Sequence, residues 1–267
     1  MTASLSANLG KNQAKEEKDK SMKISLLTDV GQKRTNNQDF ANYYKNRKGR
    51  VLVLLADGMG GHSAGNIASE MAVTDLGAAW VNTEIDDASG VSQWFAEHLE
   101  AENQRIHSKG QEEEFKGMGT TLEALVLLGK QVIYAHVGDS RIGLVRGDSY
   151  QLLTSDHSLV NALLKAGQIT PEEAERHPQR NIITQSIGQK DEIDPEFGSL
   201  ILEDGDYLVI NSDGLTNMVA ASEIYDIMKS DISLDEKAAT LIRFANNAGG
   251  LDNITVVLLA YEEGDQA

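Results

Sequence analysis

Apolar residues along this chain fall into two rhythms. Short aliphatic runs over 24–27, 51–56, 122–127, 132–137, 141–145, 150–153, 206–211 and 254–259 are bounded by Gly, Asp or Ser and predict strands. Elsewhere apolar positions return at helical spacing. Ile67, Met71, Val73, Leu76 and Ala79 predict one helix, and Trp94, Leu99 and Ile106 a second over 91–108, stopped by Gly110. Leu159, Leu163 and Leu164 predict a third that ends at Gly167, and two more are expected near 222–228 and 234–247. Thr170-Pro171-Glu172-Glu173 reads as a capped helix start, with Thr at the cap, Pro first and Glu closing the capping box.

The strands over 122–153 are separated by short Gly, Asp and Ser turns, which predicts an antiparallel meander with Asp139 in a hairpin turn. Residues 29–39 read as loop, and His98 and His107 as solvated helix positions. The polar segment from 156 to 188 interrupts the strands and reads as an inserted, mobile cover over a site.

One stretch organises the rest. In Val51-Leu52-Val53-Leu54-Leu55-Ala56-Asp57-Gly58-Met59-Gly60-Gly61-His62 an apolar run stops on an acid, glycines follow, and Ser63 can cap the next helix. The order strand, acid, glycine, helix returns in 206–214, ending on Asp213-Gly214. A final strand begins just after Asp252. Singly, each acid is compatible with plain turn chemistry.

Composition narrows the chemistry. The 267 residues suit one large domain or two small ones, and 40% hydrophobic content supports a sizeable core. The absence of cysteine excludes disulfides, thiolate metal sites and a cysteine nucleophile, and fits a cytoplasmic protein. No run predicts a membrane span, and residues 1–21 read as a disordered leader or tag before Met22. The net charge of −17 argues against nucleic acid as a partner; an anionic substrate would need local cations to approach.

If the strand ends meet, Asp57, Asp139, Asp213 and Asp252 share one site and repel one another unless divalent cations neutralise them. All-oxygen ligands select hard ions such as Mn²⁺ or Mg²⁺, and a pair of them can activate a water for in-line attack on phosphorus. The chain carries no phosphate-cradling Gly-rich Lys loop, no Gly-x-Ser-x-Gly elbow and no His-Glu-x-x-His.

Arg34-x-x-Asn37-Gln38-Asp39, Asp57-Gly58-Met59-Gly60-Gly61-His62, Gly117-Met118-Gly119-Thr120-Thr121, Val137-Gly138-Asp139-Ser140-Arg141, Ser155-Asp156-His157-Ser158, Ser212-Asp213-Gly214-Leu215 and Asp252-Asn253-Ile254-Thr255 follow one another in family order. In these the chain resembles the PPM-type, metal-dependent Ser/Thr protein phosphatases (the protein phosphatase 2C family), above all compact bacterial members, from about Lys23 to Tyr261.

The resemblance implies an α+β fold: an α-β-β-α sandwich of two antiparallel sheets flanked by helices, with a flap over about 156–188 inside a phosphatase domain spanning 22–262 and a tail over 263–267. It implies hydrolysis of phosphoserine and phosphothreonine in proteins, with Mn²⁺ or Mg²⁺ held as two tight ions and a third, weaker one. Asp57 would bridge the pair, the Gly58 carbonyl would bind one ion, and Asp213 and Asp252 would complete a shell. Asp139 would share the third ion with Asp213. Arg34 would take the substrate phosphate.

Two positions depart from the family pattern. Gln38 stands where Glu is usual, which leaves Asp39 alone to order water at the metals. Met59 stands where eukaryotic members carry a general-acid His, so that role passes to His62 or to solvent. The implied partners are phosphorylated proteins, including a bacterial Ser/Thr kinase and its substrates, met by a monomer. A phosphoprotein-binding relative without turnover, and a phosphatase dedicated to one partner, are the competing expectations.

Overall fold

The computed structural model describes residues 22–61 and 64–263. The expected leader over 1–21, the cap Ser63, the candidate His62 and residues 264–267 lie outside the described residues. The strands in chain order are β1 (Met22–Asp29), β2 (Asp39–Lys45), β3 (Val51–Met59), β4 (Gly119–Thr120), β5 (Leu122–Leu128), β6 (Gln131–Val137), β7 (Arg141–Arg146), β8 (Ser149–Leu152), β9 (Glu196–Ile201), β10 (Tyr207–Asn211) and β11 (Ile254–Tyr261). The helices are α1 (Ala64–Val81), α2 (Ala88–Lys109), α3 (Leu159–Lys165), α4 (Pro171–Glu175), α5 (Asp213–Thr216), α6 (Ala221–Lys229) and α7 (Leu234–Asn247).

All strand pairs are antiparallel, and they form two sheets. One runs β1-β11-β10-β7-β8; the other runs β2-β3-β5-β6-β9, with β4 added against β3. Central strands read as unbroken apolar runs because both of their faces are buried. In β3, Leu52, Leu54 and Ala56 face α1 and α2, whereas Val53 and Leu55 face the other sheet. In β11, Val256 and Leu258 face α6 and α7, and Val257 and Leu259 face inward. Three apolar layers result, and the expected α-β-β-α sandwich stands. Each fully buried aliphatic side chain contributes about 1.5–3 kcal/mol relative to exposure.

Several local expectations change. The strands over 122–153 are not one meander. β5 and β6 form a hairpin in one sheet, and β7 and β8 a hairpin in the other. Residues 138–140 therefore cross between sheets, and Asp139 sits in that crossover rather than in a hairpin turn. The crossover depends on Gly138, whose φ is +118° and whose Cβ, if present, would lie 2.6 Å from Thr121 Cγ2. Asp39 is not loop but the first residue of β2. Sheet pairing also does not stop at Asp57: β3 runs on to Met59 because β4 pairs with Gly58 and Met59. His107 is tied down, with Nδ1 3.2 Å from Gly188 O, and His98 stacks on Trp94.

Between β8 and β9 the chain makes an excursion over 153–195 that carries α3 and the capping box of α4. Its return limb is fastened to the second sheet by paired backbone bonds between Thr120 and Ile187, at 2.8 and 3.0 Å.

Candidate metal centre

The acids converge where the two sheets meet at one end of the sandwich. In the second sheet the register sets Asp39 directly opposite Asp57. Alternation along β2 and β3 points both side chains to the inter-sheet face, alongside Ala41, Val53 and Leu55. The Asp57 main chain is fixed on its other side by β4 and β5. Its N–H donates to Thr121 Oγ1 at 3.0 Å, and its carbonyl accepts from Thr121 N and Thr120 Oγ1, both at 2.9 Å. Thr121 Oγ1 also lies 2.8 Å from Ser140 Oγ, which links the Asp57 strand to the crossover bearing Asp139. Gly58 must be glycine, since a Cβ there would meet Gly65 O at 2.0 Å and Gln38 O at 2.7 Å. That contact brings the start of α1 down onto the site.

The first sheet supplies the other acids. Asp213 opens α5 directly after β10, and Asp252 precedes β11. Ser212 stitches the sheets together: its Oγ donates to Asp39 Oδ2 at 2.7 Å and accepts from Thr255 N at 3.0 Å. Asp39 is thus buried behind Asp57, where it sets the spacing of the two sheets. Asn253 secures the loop that carries Arg34. Its Oδ1 accepts from Gln38 N at 2.8 Å, and its Nδ2 donates to Val30 O and Asn36 O at 2.9 Å.

A cavity of about 280 Å³ is lined by Asp57, Gly58, Asp139, Asp213 and Asp252, with Arg34 at its edge and Asn181 and Ile183 reaching in from the excursion. Arg34 Nη2 lies 2.8 Å from Asp252 Oδ2. Every described ligand candidate is therefore brought together. Asp39 lies beneath the cavity, and His62 falls outside the described residues. Thr121, Ser140 and Ser212 had no role assigned from sequence. All three lie inside the ordered motifs, but the partners that give them a role are distant in the chain.

The electrostatics of this cluster call for cations. Burial first, then the carboxylates of Asp39, Asp213, Asp139 and Asp252, push the Asp57 carboxyl well above its ordinary range. Burial raises Asp39 and Asp213 to about 6 and Asp139 to about 7, with neighbouring acids adding to each. Oδ1 of Asp39 and Oδ1 of Asp213 are buried without a hydrogen-bond partner. Convergent carboxylates with unused lone pairs, the Gly58 backbone beside them and no His or Cys among the lining residues fit hard divalent cations.

Residues 30–252 match the family described as protein phosphatase 2C. The protein phosphatase PhpP of Streptococcus pneumoniae is 70% identical over 244 residues, covering 91% of this chain and 99% of that protein. A solved serine/threonine phosphatase of S. agalactiae superposes with a TM-score of 0.89 at 57% identity, covering 91% of this chain and all of the other. The catalytic domain of the serine/threonine protein phosphatase PstP, solved in complex with 2 manganese ions, superposes with a TM-score of 0.79 at 30% identity, covering 91% of this chain and 99% of that one.

Proposed function

The chain belongs to the protein phosphatase 2C family, and from that premise we propose how its residues divide the work of a metal-dependent protein-serine/threonine phosphatase. The observation that carries the proposal is the convergence of Asp57, Asp139, Asp213 and Asp252 from both sheets onto one cavity with an arginine at its edge.

Asp57 and the Gly58 carbonyl would hold a pair of Mn²⁺ or Mg²⁺ ions, with Asp213 and Asp252 completing the set and Asp139 sharing a weaker third ion with Asp213. Divalent ions bound there supply an activated water for in-line attack on a phosphate monoester. Arg34, planar and permanently charged, binds and orients the substrate phosphate once its guanidinium turns from Asp252 toward the cavity. Asp39 holds Ser212 and so fixes the distance between the Asp57 and Asp213 backbones. His62 or solvent protonates the leaving serine or threonine oxygen.

Residues 22–262 act as one catalytic domain, and the segment over 156–188 serves as a cover that presents Asn181 and Ile183 to the substrate. The substrates are phosphorylated proteins in the cytoplasm, including a Ser/Thr kinase and its targets, and the enzyme acts as a monomer. No helix among the described residues is long and apolar enough to cross a membrane. The test is hydrolysis of an aryl phosphate and of a phosphothreonine peptide with Mn²⁺, then after exhaustive chelation. Activity should vanish with the metal and return on its addition; turnover that survives chelation removes the proposed division of roles.

A further inference from the structure

Deeper in the inter-sheet core than Asp39 and Asp57, the register aligns Leu55, Glu123, His136 and Glu196 across β3, β5, β6 and β9. Glu123 and His136 are fully buried, with His136 Nδ1 2.5 Å from Glu123 Oε1. The ring of His157, at the start of the excursion, packs on His136 with centroids 4.7 Å apart. Ligand-capable atoms of His136, His157 and Glu196 lie within 4.8 Å of one another. The hydrogen bonding argues against a second metal site there. His157 Nδ1 accepts the Gly138 N–H at 3.2 Å, so the neutral ring carries its proton on Nε2 and has no lone pair left for a cation.

The same bond points to another role. His157 N donates to Gly138 O at 2.6 Å, so one residue grips both peptide groups of Gly138. On the far side of Asp139, Arg141 donates to Asp156 through Nε at 2.9 Å and Nη2 at 2.7 Å. Asp139 is thus bracketed by Gly138 and Arg141, both held by consecutive residues of the excursion. Three further ties hold the bracket in place, two to the second sheet through Glu196 and His136 and one to the return limb of the excursion through Thr184. Ser155 N donates to Glu196 Oε2 at 3.1 Å, Thr184 N donates to His157 O at 2.8 Å, and His136 backs the His157 ring. Burial first, then the neighbouring His136, lowers His157 to about 4, which keeps Nδ1 an acceptor near neutrality.

We propose that His157 is a positioning residue that clasps the Gly138 peptide and so sets where the Asp139 carboxylate stands, with Asp156 steadying the other end through Arg141. The inference rests on the reading of Asp139 as ligand to a weak metal ion. It ties that ligand to the base of the cover segment, so a shift of the segment's first residues would move Asp139.

The test compares His157→Asn, which places an acceptor oxygen where Nδ1 stands, with His157→Gln, which places it one bond too far. Calorimetric Mn²⁺ titration, kcat and KM, and a thermal melt are measured for each. His157→Gln should weaken only the weakest Mn²⁺ step, by about tenfold, and lower kcat by a similar factor; His157→Asn should restore both. Added to Asp139→Ala, His157→Gln should cost nothing more, because the two act through one ligand.

Equal damage from Asn and Gln, or losses that multiply in the double variant, overturns the role. Should the Gln variant not fold, Asp156→Asn loosens the bracket from its solvent side and should produce the same selective loss; an unchanged weak step then overturns the role. If Asp139→Ala alone keeps full activity and every Mn²⁺ step, the reading of Asp139 fails and the role of His157 falls with it. If Asp139→Ala loses activity while His157→Gln does not, only the inference about His157 fails.

Discussion

Asp57 and Asp213 reach one cavity from different sheets and by different backbone means. Asp57 lies inside β3, flanked by Asp39 on the neighbouring β2 and, on the other side, by Thr121 between β4 and β5, and its main chain is pinned on the Thr120–Thr121 side. Asp213 is the first residue of α5, and its Oδ2 accepts from Asn217, one turn on, at 3.0 Å. The strand-held acid cannot shift without breaking the sheet. The helix-held acid is aimed by a local side chain, that of Asn217. A rigid carboxylate suits the shared centre of a metal cluster, and an adjustable one suits its periphery.

The largest expected effect breaks the comparison at its rigid end. Asp57→Asn keeps the shape of the side chain and removes its charge, so kcat with Mn²⁺ should fall by ~10³ or more, a loss of about 4 kcal/mol in transition-state stabilisation. The measurement is steady-state turnover beside a thermal melt in chelator. The metal-free variant should melt higher than the parent, because a buried repelling charge is gone. Turnover near that of the parent would move the central carboxylate elsewhere.

Next is the support of that acid. Thr121→Val preserves the volume but removes the acceptor for the Asp57 N–H and the contact with Ser140. An unpaired buried amide costs about 1–3 kcal/mol, to be read from urea unfolding. With the support loosened, kcat should drop by about tenfold while KM for an aryl phosphate stays near that of the parent. Unchanged stability would show that β4 alone holds Asp57.

The two corners were legible in the sequence to different depths. Apolar runs leading to Asp57 and Asp213 mark both, and elsewhere the cap of α4 at Thr170 was equally plain. β2 is not marked: in Asp39–Lys45 only the first residue is buried, so no apolar pattern announces an edge strand. β9 is likewise an edge, with Phe197 and Ile201 about half exposed. The crossover at 138–140 uses the same Gly, Asp and Ser as a hairpin turn. The close packing of Gly138 on Thr121, which marks the crossover, is a tertiary contact that no local signal announces. The Ser212–Asp39 bond joins residues 173 apart, beyond the reach of any local periodicity. Local chemistry was readable, whereas the seam between sheets is a property of the assembled fold.

A smaller effect is a pH dependence of the metal-free protein. The folded-state carboxyls of Asp39, Asp213 and Asp139 lie above their ordinary value, at about 6, 6 and 7. The folded state therefore binds more protons than the unfolded chain between pH ~4 and ~7, and stability falls as pH rises through that window. In chelator, the melting temperature should decline from pH ~4 to ~7, and saturating Mn²⁺ should abolish or reverse the trend. A metal-free melt that is flat or rises over that range would mean the acids are already neutralised by their surroundings.

The smallest effect tests the adjustable end. Asn217→Ala removes the Asn217 donor to Asp213 Oδ2 and, lying at the exposed end of α5, leaves the core untouched. Stability should change by no more than about 0.5 kcal/mol, as for most surface substitutions. The carboxylate would lose its aim but keep its charge. Mn²⁺ should still bind, with the concentration for half-maximal activity raised a few-fold and kcat at saturation little changed. The comparison predicts this asymmetry: a lost support beneath Asp57 cannot be overcome by added metal, because the backbone itself has moved. A lost donor beside Asp213 can be, because bound metal provides the orientation that Asn217 gave. Titrating Mn²⁺ against Thr121→Val and Asn217→Ala in one assay decides the matter. If excess metal rescues both variants equally, or neither, the two acids are held alike and the distinction between a rigid centre and an adjustable periphery is wrong.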